Sequence, residues 1–262
     1  MPFPESHRAV FRKNPLAEVI CQFRFPTILA IAAEPPSTFQ EKVRESYPLY
    51  ETPGDASAWP KELGPILSQL SIKFPGEATT HKFLAEGEKR SISLAQDFVA
   101  VSDQQYGRWE DFRREIVSVE AAARDVYKPA FYSRVGLRYR NIINKDALGL
   151  GADGWDTLVQ PYFAGLLSSD DVRDHIQQIT TVVQINLSEI AGALVQIRHG
   201  LARVSPDQEA HYVIDADFYT EGRYTSQHAF TALDLFHRRA GDLFRWAITG
   251  NLYRALDPIS VE

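Results

Sequence analysis

Two long stretches of the chain place apolar residues at the spacing of an amphipathic helix, and each follows a series of strand-like segments. The first runs from about Trp109 to Val126 and is closed by Pro129, and the second runs from about Ser226 to Leu256. Each stretch needs an apolar surface on which to bury its stripe, and a sheet with one apolar face supplies that surface. This feature predicts long helices packed on one face of a sheet, with Trp109 anchoring the first helix.

Segments of alternating apolar and polar residues surround the first helix. In residues 18–25, Val19, Cys21 and Phe23 alternate with neighbours that are polar except for Ile20, which predicts a half-buried strand with Cys21 on its buried side. The remaining predicted elements of this half are a helix over 39–47, strands over 66–74, 90–101 and 132–143, and a further short strand within 79–84. The resulting β-α-β-β-α-β order is the ferredoxin-like or split β-α-β order.

The second half of the chain also combines strands with a long amphipathic helix, but its sequence differs from that of the first half. Its predicted elements are a helix over 155–167, strands over 176–188, 191–204 and 212–219, and the long last helix. Consecutive amphipathic strands favour an antiparallel meander with one face covered by helices. We therefore predict an α+β protein with mostly antiparallel sheets. Its two closely packed halves are 1–143 (β-α-β-β-α-β) and 144–262 (α-β-β-β-α).

Composition narrows the classes of protein that remain. The 262 residues hold 28 Lys and Arg against 34 Asp and Glu, a formal net charge of −6, whereas proteins that wrap duplex nucleic acid usually carry the opposite sign. The single cysteine, Cys21, allows neither an intrachain disulfide nor a thiolate zinc cluster. No apolar run is long enough for a membrane span or a signal peptide. We expect a cytoplasmic protein that does not enter membranes.

Charged residues on two predicted strands form a candidate site. Arg134, Arg138 and Arg140 lie on one face of the strand that ends the first half, and Asp215 and Asp217 share one face of the last predicted strand. Two carboxylates in this arrangement could hold a divalent metal, as in nucleases. If the two strands are adjacent, the carboxylates pair instead with the arginines across the strands. The two interpretations compete for the same atoms, and we expect the internal pairing.

Other motifs predict no cofactor and no metal. Gly149, Gly151 and Gly154 match the dinucleotide fingerprint in spacing, but residues 144–148 separate them from the preceding strand, and that fingerprint needs a tight strand-to-helix turn. The seven histidines include no pair at zinc-ligand spacing on a helix. Neither a Gly-x-Ser-x-Gly elbow nor a Gly-Lys-Ser/Thr phosphate loop occurs.

Several segments together resemble a sporadically distributed family of bacterial conserved hypothetical proteins over nearly the full length. They are Asn14-Pro15-Leu16 with residues 19–26, Tyr106-x-x-Trp109-x-x-Phe112, Arg134-Val135-Gly136-Leu137-Arg138-Tyr139-Arg140-Asn141, Ile214-Asp215-Ala216-Asp217, and Leu235-Phe236-His237 before Phe244. The resemblance implies a bacterial cytosolic protein of patchy distribution, as accessory genes of defence modules and mobile islands often are. The resemblance identifies no catalytic residues in this chain. We include His237, from the last of these segments, among the candidate binding residues.

Three hypotheses on function follow. The first is a non-enzymatic cytosolic protein-binding accessory factor, an antitoxin-like or chaperone-like component of a defence or mobile-island module, which joins a protein partner or forms a homo-oligomer. The second is a nucleic-acid-binding or nuclease-type protein that uses the arginine and aspartate faces. The third is a small-ligand-binding protein with a groove between sheet and helix. An electropositive groove at the arginine strand would favour the second, and a deep pocket with a few convergent polar groups would favour the third.

Overall fold

The computed structural model describes residues 2–51, 66, 80–203 and 210–260, and it has the predicted α+β architecture. The strands are β1 (Ala9–Phe11), β2 (Leu16–Arg24), β3 (Leu49–Glu51), β4 (His81–Leu84), β5 (Arg90–Ala95), β6 (Phe98–Asp103), β7 (Tyr132–Ile143), β8 (Ile179–Leu187), β9 (Ala193–Ala202), β10 (His211–Tyr224) and β11 (Pro258–Ser260). The helices are α1 (Leu29–Ala33), α2 (Ser37–Val43), α3 (Trp109–Tyr127), α4 (Trp155–Leu158), α5 (Pro161–Ala164), α6 (Ser226–Ala247) and α7 (Gly250–Ala255).

Nine of these strands form one antiparallel sheet in the order β3-β4-β5-β6-β2-β7-β10-β9-β8. Residues 1–143 and 144–262 both contribute strands to it, and they meet where β7 pairs with β10. A separate two-stranded sheet joins β1 to β11, near the two ends of the chain.

The main core lies on the face of the sheet that α3 and α6 cover. Phe218 of β10 packs against Phe236 of α6, with ring centroids 6.2 Å apart, and Phe23 of β2 contacts Phe230 of the same helix. Cys21, on the same side of β2 as Phe23, is completely buried, and burial raises the pKa of its thiol. The burial of Cys21 is therefore confirmed.

Residues 90–103 form a hairpin, so the single strand predicted over 90–101 is wrong. Ala95 pairs directly with Phe98, which leaves Gln96 and Asp97 as a two-residue turn. Asp97 accepts a hydrogen bond from Arg24 of β2 at 2.6 Å. Since alternation continues through the turn and no glycine or proline marks it, the local pattern resembles one long strand. The short strand predicted within 79–84 is present as β4, whereas the prediction over 66–74 falls almost entirely outside the described residues.

Two predicted helices are broken, and the two breaks meet in space. The segment predicted as one helix over 155–167 divides at Pro161 into α4, α5 and a 3₁₀ turn, and the last helix ends at Ala247 before α7 begins. Val159 and Ile248, both extended, form a β-bridge between the two breaks. Thr249 then caps α7 by accepting the Leu252 N–H. Among the described residues, no helix is both long enough and apolar enough to span a membrane.

Candidate functional site

The five charged residues singled out from the sequence lie together on the face of the sheet that points away from α6. The antiparallel pairing of β7 and β10 places Asp215 opposite Arg140 and Asp217 opposite Arg138. Arg138 donates two hydrogen bonds to the Asp215 carboxylate, at 2.7 and 2.5 Å, and Arg134 donates one to Asp217 at 2.9 Å. The predicted adjacency of the two strands and the pairing of their charges are confirmed.

Glu18 extends this arrangement into β2, and we call the residues Glu18, Arg138, Arg140 and Asp215 the sheet network. Arg140 donates to Glu18 at 2.5 Å, and its Nε lies 3.5 Å from Asp215. Arg140 and Asp215 are each 1% exposed, and Glu18 is 4% exposed. Burial by itself would raise the pKa of Asp215, but the two neighbouring guanidinium groups outweigh it and hold the pKa below its ordinary value.

The chemistry open to the sheet network is limited by this pairing. Both oxygens of the Asp215 carboxylate accept hydrogen bonds from Arg138, and Glu18 accepts from Arg140 and from Ser102. Over the described ranges, no three His, Cys, Asp or Glu side chains gather where they could hold a metal ion. The charges of the network are therefore taken up by one another, as buried charges must be paired and hydrogen-bonded to persist.

A cleft of about 700 Å³ opens on the side of the sheet that the helices cover. Its walls are the N-terminal segment 5–16, the beginning of α3, the α6 residues from 234 to 245 and the end of β7. Among the described residues, six Phe, Tyr and Trp rings line it: Phe11, Tyr106, Trp109, Tyr139, Phe244 and Tyr253. This combination of an apolar lining with a few polar groups is typical of a site for a small molecule.

His237 lies in the floor of the cleft. Its ring stacks on Trp109, which is 6% exposed, with centroids 4.7 Å apart and an interplanar angle of 6°. Its Nδ1 atom lies 3.0 Å from the Tyr139 hydroxyl. Burial, reinforced by Arg8, lowers the pKa of His237 to about 4, so the ring is neutral at pH 7. In the part of the chain that the structure describes, Nε2 has no hydrogen-bond partner, which leaves it for a ligand.

Two tyrosines lie beside His237 in the lining of the cleft. Tyr139 bonds to His237 through its hydroxyl, and its ring meets that of Tyr106 edge-to-face, with centroids 5.9 Å apart. Burial raises the pKa of Tyr106 to about 12 and raises that of Tyr139 well above its ordinary value. Both hydroxyls therefore keep their protons at neutral pH and act as hydrogen-bond donors and acceptors.

The lining of the cleft carries more positive than negative charge. Five arginines contribute to it, Arg8, Arg108, Arg238, Arg239 and Arg245, against three carboxylates, Glu5, Asp234 and Asp242. Two of the carboxylates are engaged, because Asp242 accepts from Arg239 at 2.7 Å and Asp234 accepts from Arg113 at 2.8 Å. Arg238 is exposed on α6 and has no carboxylate partner among the described residues. Three of the arginines are engaged as well, since Arg8 and Arg108 lie at salt-bridge distance from Glu110 and Arg239 pairs with Glu189 and Asp242. Among the described residues, Arg238 and Arg245 therefore carry the positive charge that is left for an anion.

The N-terminal segment closes one wall of the cleft through contacts with both helices. Ser6 donates to Asp242 of α6 from its backbone N–H, at 2.8 Å, and from its hydroxyl, at 3.1 Å. Arg8 makes a two-pronged ion pair with Glu110 of α3, at 2.7 and 2.8 Å. β1 follows directly and pairs with β11. Aromatic contacts of Phe3 with Trp246 and of Phe11 with Phe244 also hold this wall. It therefore depends on residues far apart in sequence.

The structure separates the candidate residues into two places. His237 lines the cleft, whereas the arginines and aspartates lie on the opposite face of the sheet. Sequence reasoning missed Arg8 and Tyr106. It also missed Tyr139, although alternation along β7 places the Tyr139 side chain on the opposite face of the sheet from Arg138 and Arg140.

No protein-family model matches the chain, and no curated protein matches it significantly. The resemblance to a family of bacterial conserved hypothetical proteins stays a prediction.

Proposed function

We propose that this protein binds a small organic anion with an aromatic or apolar body in the cleft. The observation that carries the proposal is the lining itself, five arginines against three carboxylates around six aromatic rings, in a chain whose net charge is −6. A positive site on a negative protein selects anions, because the charges near the ligand dominate over distant, screened ones.

The floor and the rim of the cleft offer different contacts to the apolar body and to the charged group of a ligand. The aromatic rings offer an apolar surface and faces for a planar group. Arg238 and Arg8 line the same cleft space as His237, and their positive charges add to the effect of burial in lowering its pKa. The Nε2 atom of His237 adds a directional hydrogen bond in that space. A ligand that combines a ring with a carboxylate, sulfonate or phosphate matches this arrangement.

This proposal follows the third hypothesis from the sequence rather than the second. A nuclease would need Asp215 and the arginines of β7 to face substrate or metal, whereas the guanidinium and carboxylate groups of the sheet network bind each other. The protein-binding accessory role, with its protein partner and cytoplasmic location, stays a prediction.

Fluorescence titration with 8-anilinonaphthalene-1-sulfonate tests the proposal, because this dye joins an aromatic body to one anionic group. We expect saturable binding of one dye per folded chain. The neutral relative that lacks the sulfonate, N-phenyl-1-naphthylamine, should bind at least about tenfold more weakly, the factor expected when a charge-assisted hydrogen bond is lost.

Matched arginine variants locate the bound dye. Arg238→Gln should weaken binding of the sulfonate dye several-fold and leave binding of the neutral dye unchanged. Arg44→Gln is the control, since Arg44 is an exposed arginine outside the lining of the cleft that pairs only with Glu41 in the described chain. Equal affinity for the two dyes, or equal effects of the two variants, would overturn the proposal.

A further inference from the structure

β8 is the last strand of the nine-stranded sheet and pairs only with β9 among the described strands. Its nine residues, Ile179-Thr180-Thr181-Val182-Val183-Gln184-Ile185-Asn186-Leu187, include no charge, no proline and no glycine. Edge strands usually carry charges or proline, because an open row of backbone N–H and C=O groups otherwise pairs with another strand. β8 has neither of these protections.

β8 lies very close to β9 along the side on which the two strands pair, and its other side forms the edge of the sheet. A side chain at Gly200 of β9, where φ is +151°, would place its Cβ 1.9 Å from the carbonyl oxygen of Ile179. Only glycine allows the backbones to approach so closely at this point. β9 therefore carries β8 in a fixed register over all nine residues.

Two apolar side chains of β8 are exposed. Val182 is 53% exposed and Val183 is 39% exposed, on opposite faces of the strand. Apolar groups therefore remain uncovered on both faces of the edge strand.

We propose that β8 pairs antiparallel with β8 of a second copy of this chain, about a two-fold axis at Val183. Full overlap of a strand from Ile179 to Leu187 requires this centre, since Val183 is its fifth residue. Val183 then lies beside its own counterpart, and Thr181 lies opposite Ile185 of the second copy.

The occupant is a second copy because this register sets uncharged residues of matching kind opposite one another, with Ile179 opposite Leu187 and Thr180 opposite Asn186. Two chains of net charge −6 repel elsewhere on their surfaces. The uncharged edge is therefore the place at which they can approach. The proposal is independent of the ligand proposed for the cleft.

Sedimentation analysis of the full chain tests this proposal through two charge variants. Wild type is expected to sediment as a dimer at micromolar concentrations, and Val183→Lys and Val183→Glu are each expected to sediment as monomers. Mixing the two variants should restore a dimer, because each lysine then lies beside a glutamate across the two-fold axis.

Val117→Lys is the matched control, because Val117 is 38% exposed on α3, far from the edge. It should leave the dimer intact. Circular dichroism spectra and melting temperatures equal to wild type would show that each variant is folded. A monomeric wild type, or a Val183→Lys variant that dimerises as wild type does, would overturn the proposal, as would mixed variants that stay monomeric.

Discussion

Arginines on the two sides of β7 differ in the elements that supply their partners. On one side, Arg138 and Arg140 meet carboxylates of the neighbouring strands at hydrogen-bond distance, and Arg140 is 1% exposed. On the other side, Tyr139 forms the floor of a cleft whose arginines come from the N-terminal segment and from helices. On the first side, the register of the paired strands places arginines beside carboxylates. On the second side, the arginines do not lie on paired strands, so no register determines their partners.

This difference teaches what to expect when charges are changed. Removing one member of a buried pair leaves the other charged, desolvated and without its partner, which costs far more than the pair contributes over an apolar pair. Removing a charge from the cleft rim leaves groups that water can reach, so stability changes little and affinity for an anion changes most. Each of the following experiments tests one side of the comparison.

Asp215→Ala should have the largest effect, because Arg138 and Arg140 would both lose a buried carboxylate. We expect the free energy of unfolding to fall by about 3–5 kcal/mol, measured by urea denaturation at neutral pH. Arg138→Gln should also lower the free energy of unfolding. The double variant Arg138→Gln with Asp215→Asn should lower it by less than the sum of the losses from Arg138→Gln alone and Asp215→Asn alone. Additive losses would mean that the two side chains act independently.

Trp109→Ala removes the ring that supports His237 and anchors α3. We expect a loss of about 3 kcal/mol in the free energy of unfolding, the lower end of the range for large aromatic residues, because the adjoining cleft lets neighbours and water relax. Arg238→Gln, at the rim of the same cleft, is the comparison and should stay within about 0.5 kcal/mol of wild type. An unchanged melting temperature for Trp109→Ala would contradict its anchoring role.

Acid should weaken the cleft side before it weakens the sheet network. The pKa of His237 is about 4 in the folded protein against an ordinary value of 6.5, so the unfolded chain binds a proton that the folded chain resists. The stability that this histidine contributes is complete above pH 6.5 and is lost as the pH falls toward 4, with a slope of at most about 1.4 kcal/mol per pH unit. His237→Gln should therefore show a shallower fall of stability from pH 6.5 to 4.5.

His199 provides the internal reference for that measurement. Burial also lowers its pKa to about 4, and it lies in a separate place, against Tyr212. His199→Gln should remove a comparable part of the slope, and the double variant should remove both parts. A His237→Gln variant with the wild-type slope would show that His237 is not the buried neutral base described here.

Arg8→Gln should have a small effect on stability, comparable with that of Arg238→Gln. The ion pair between Arg8 and Glu110 is 36% and 45% exposed at its two side chains, so solvent screens it, and its loss should cost about 0.2–1 kcal/mol. Hydrogen exchange at the amides of residues 6–11 should nevertheless accelerate, because this pair fastens the wall of the cleft to α3. Unchanged exchange in this segment would show that Ser6 and β1 hold the wall without Arg8.

Much of the fold follows from local periodicity. Alternation over 132–143 predicted β7 with the bounds that the structure has, and helical spacing from Trp109 located α3. The same alternation placed Arg138 and Arg140 on one face and predicted their pairing with Asp215. Such predictions succeed because a strand or a long helix is specified by residues close together in sequence.

The breaks and the cleft depended on contacts between distant residues. Helical spacing continues past Ala247, yet the helix ends because Ile248 forms a bridge with Val159. Glu18 joined the sheet network only when the order of strands placed β2 beside β7. The sequence by itself determined which residues share a face, since that depends on a repeat of two or of 3.6 residues. Tertiary structure alone decided which faces meet, and so brought Arg8, Tyr139 and His237 to one cleft, because their separation along the chain leaves no local pattern.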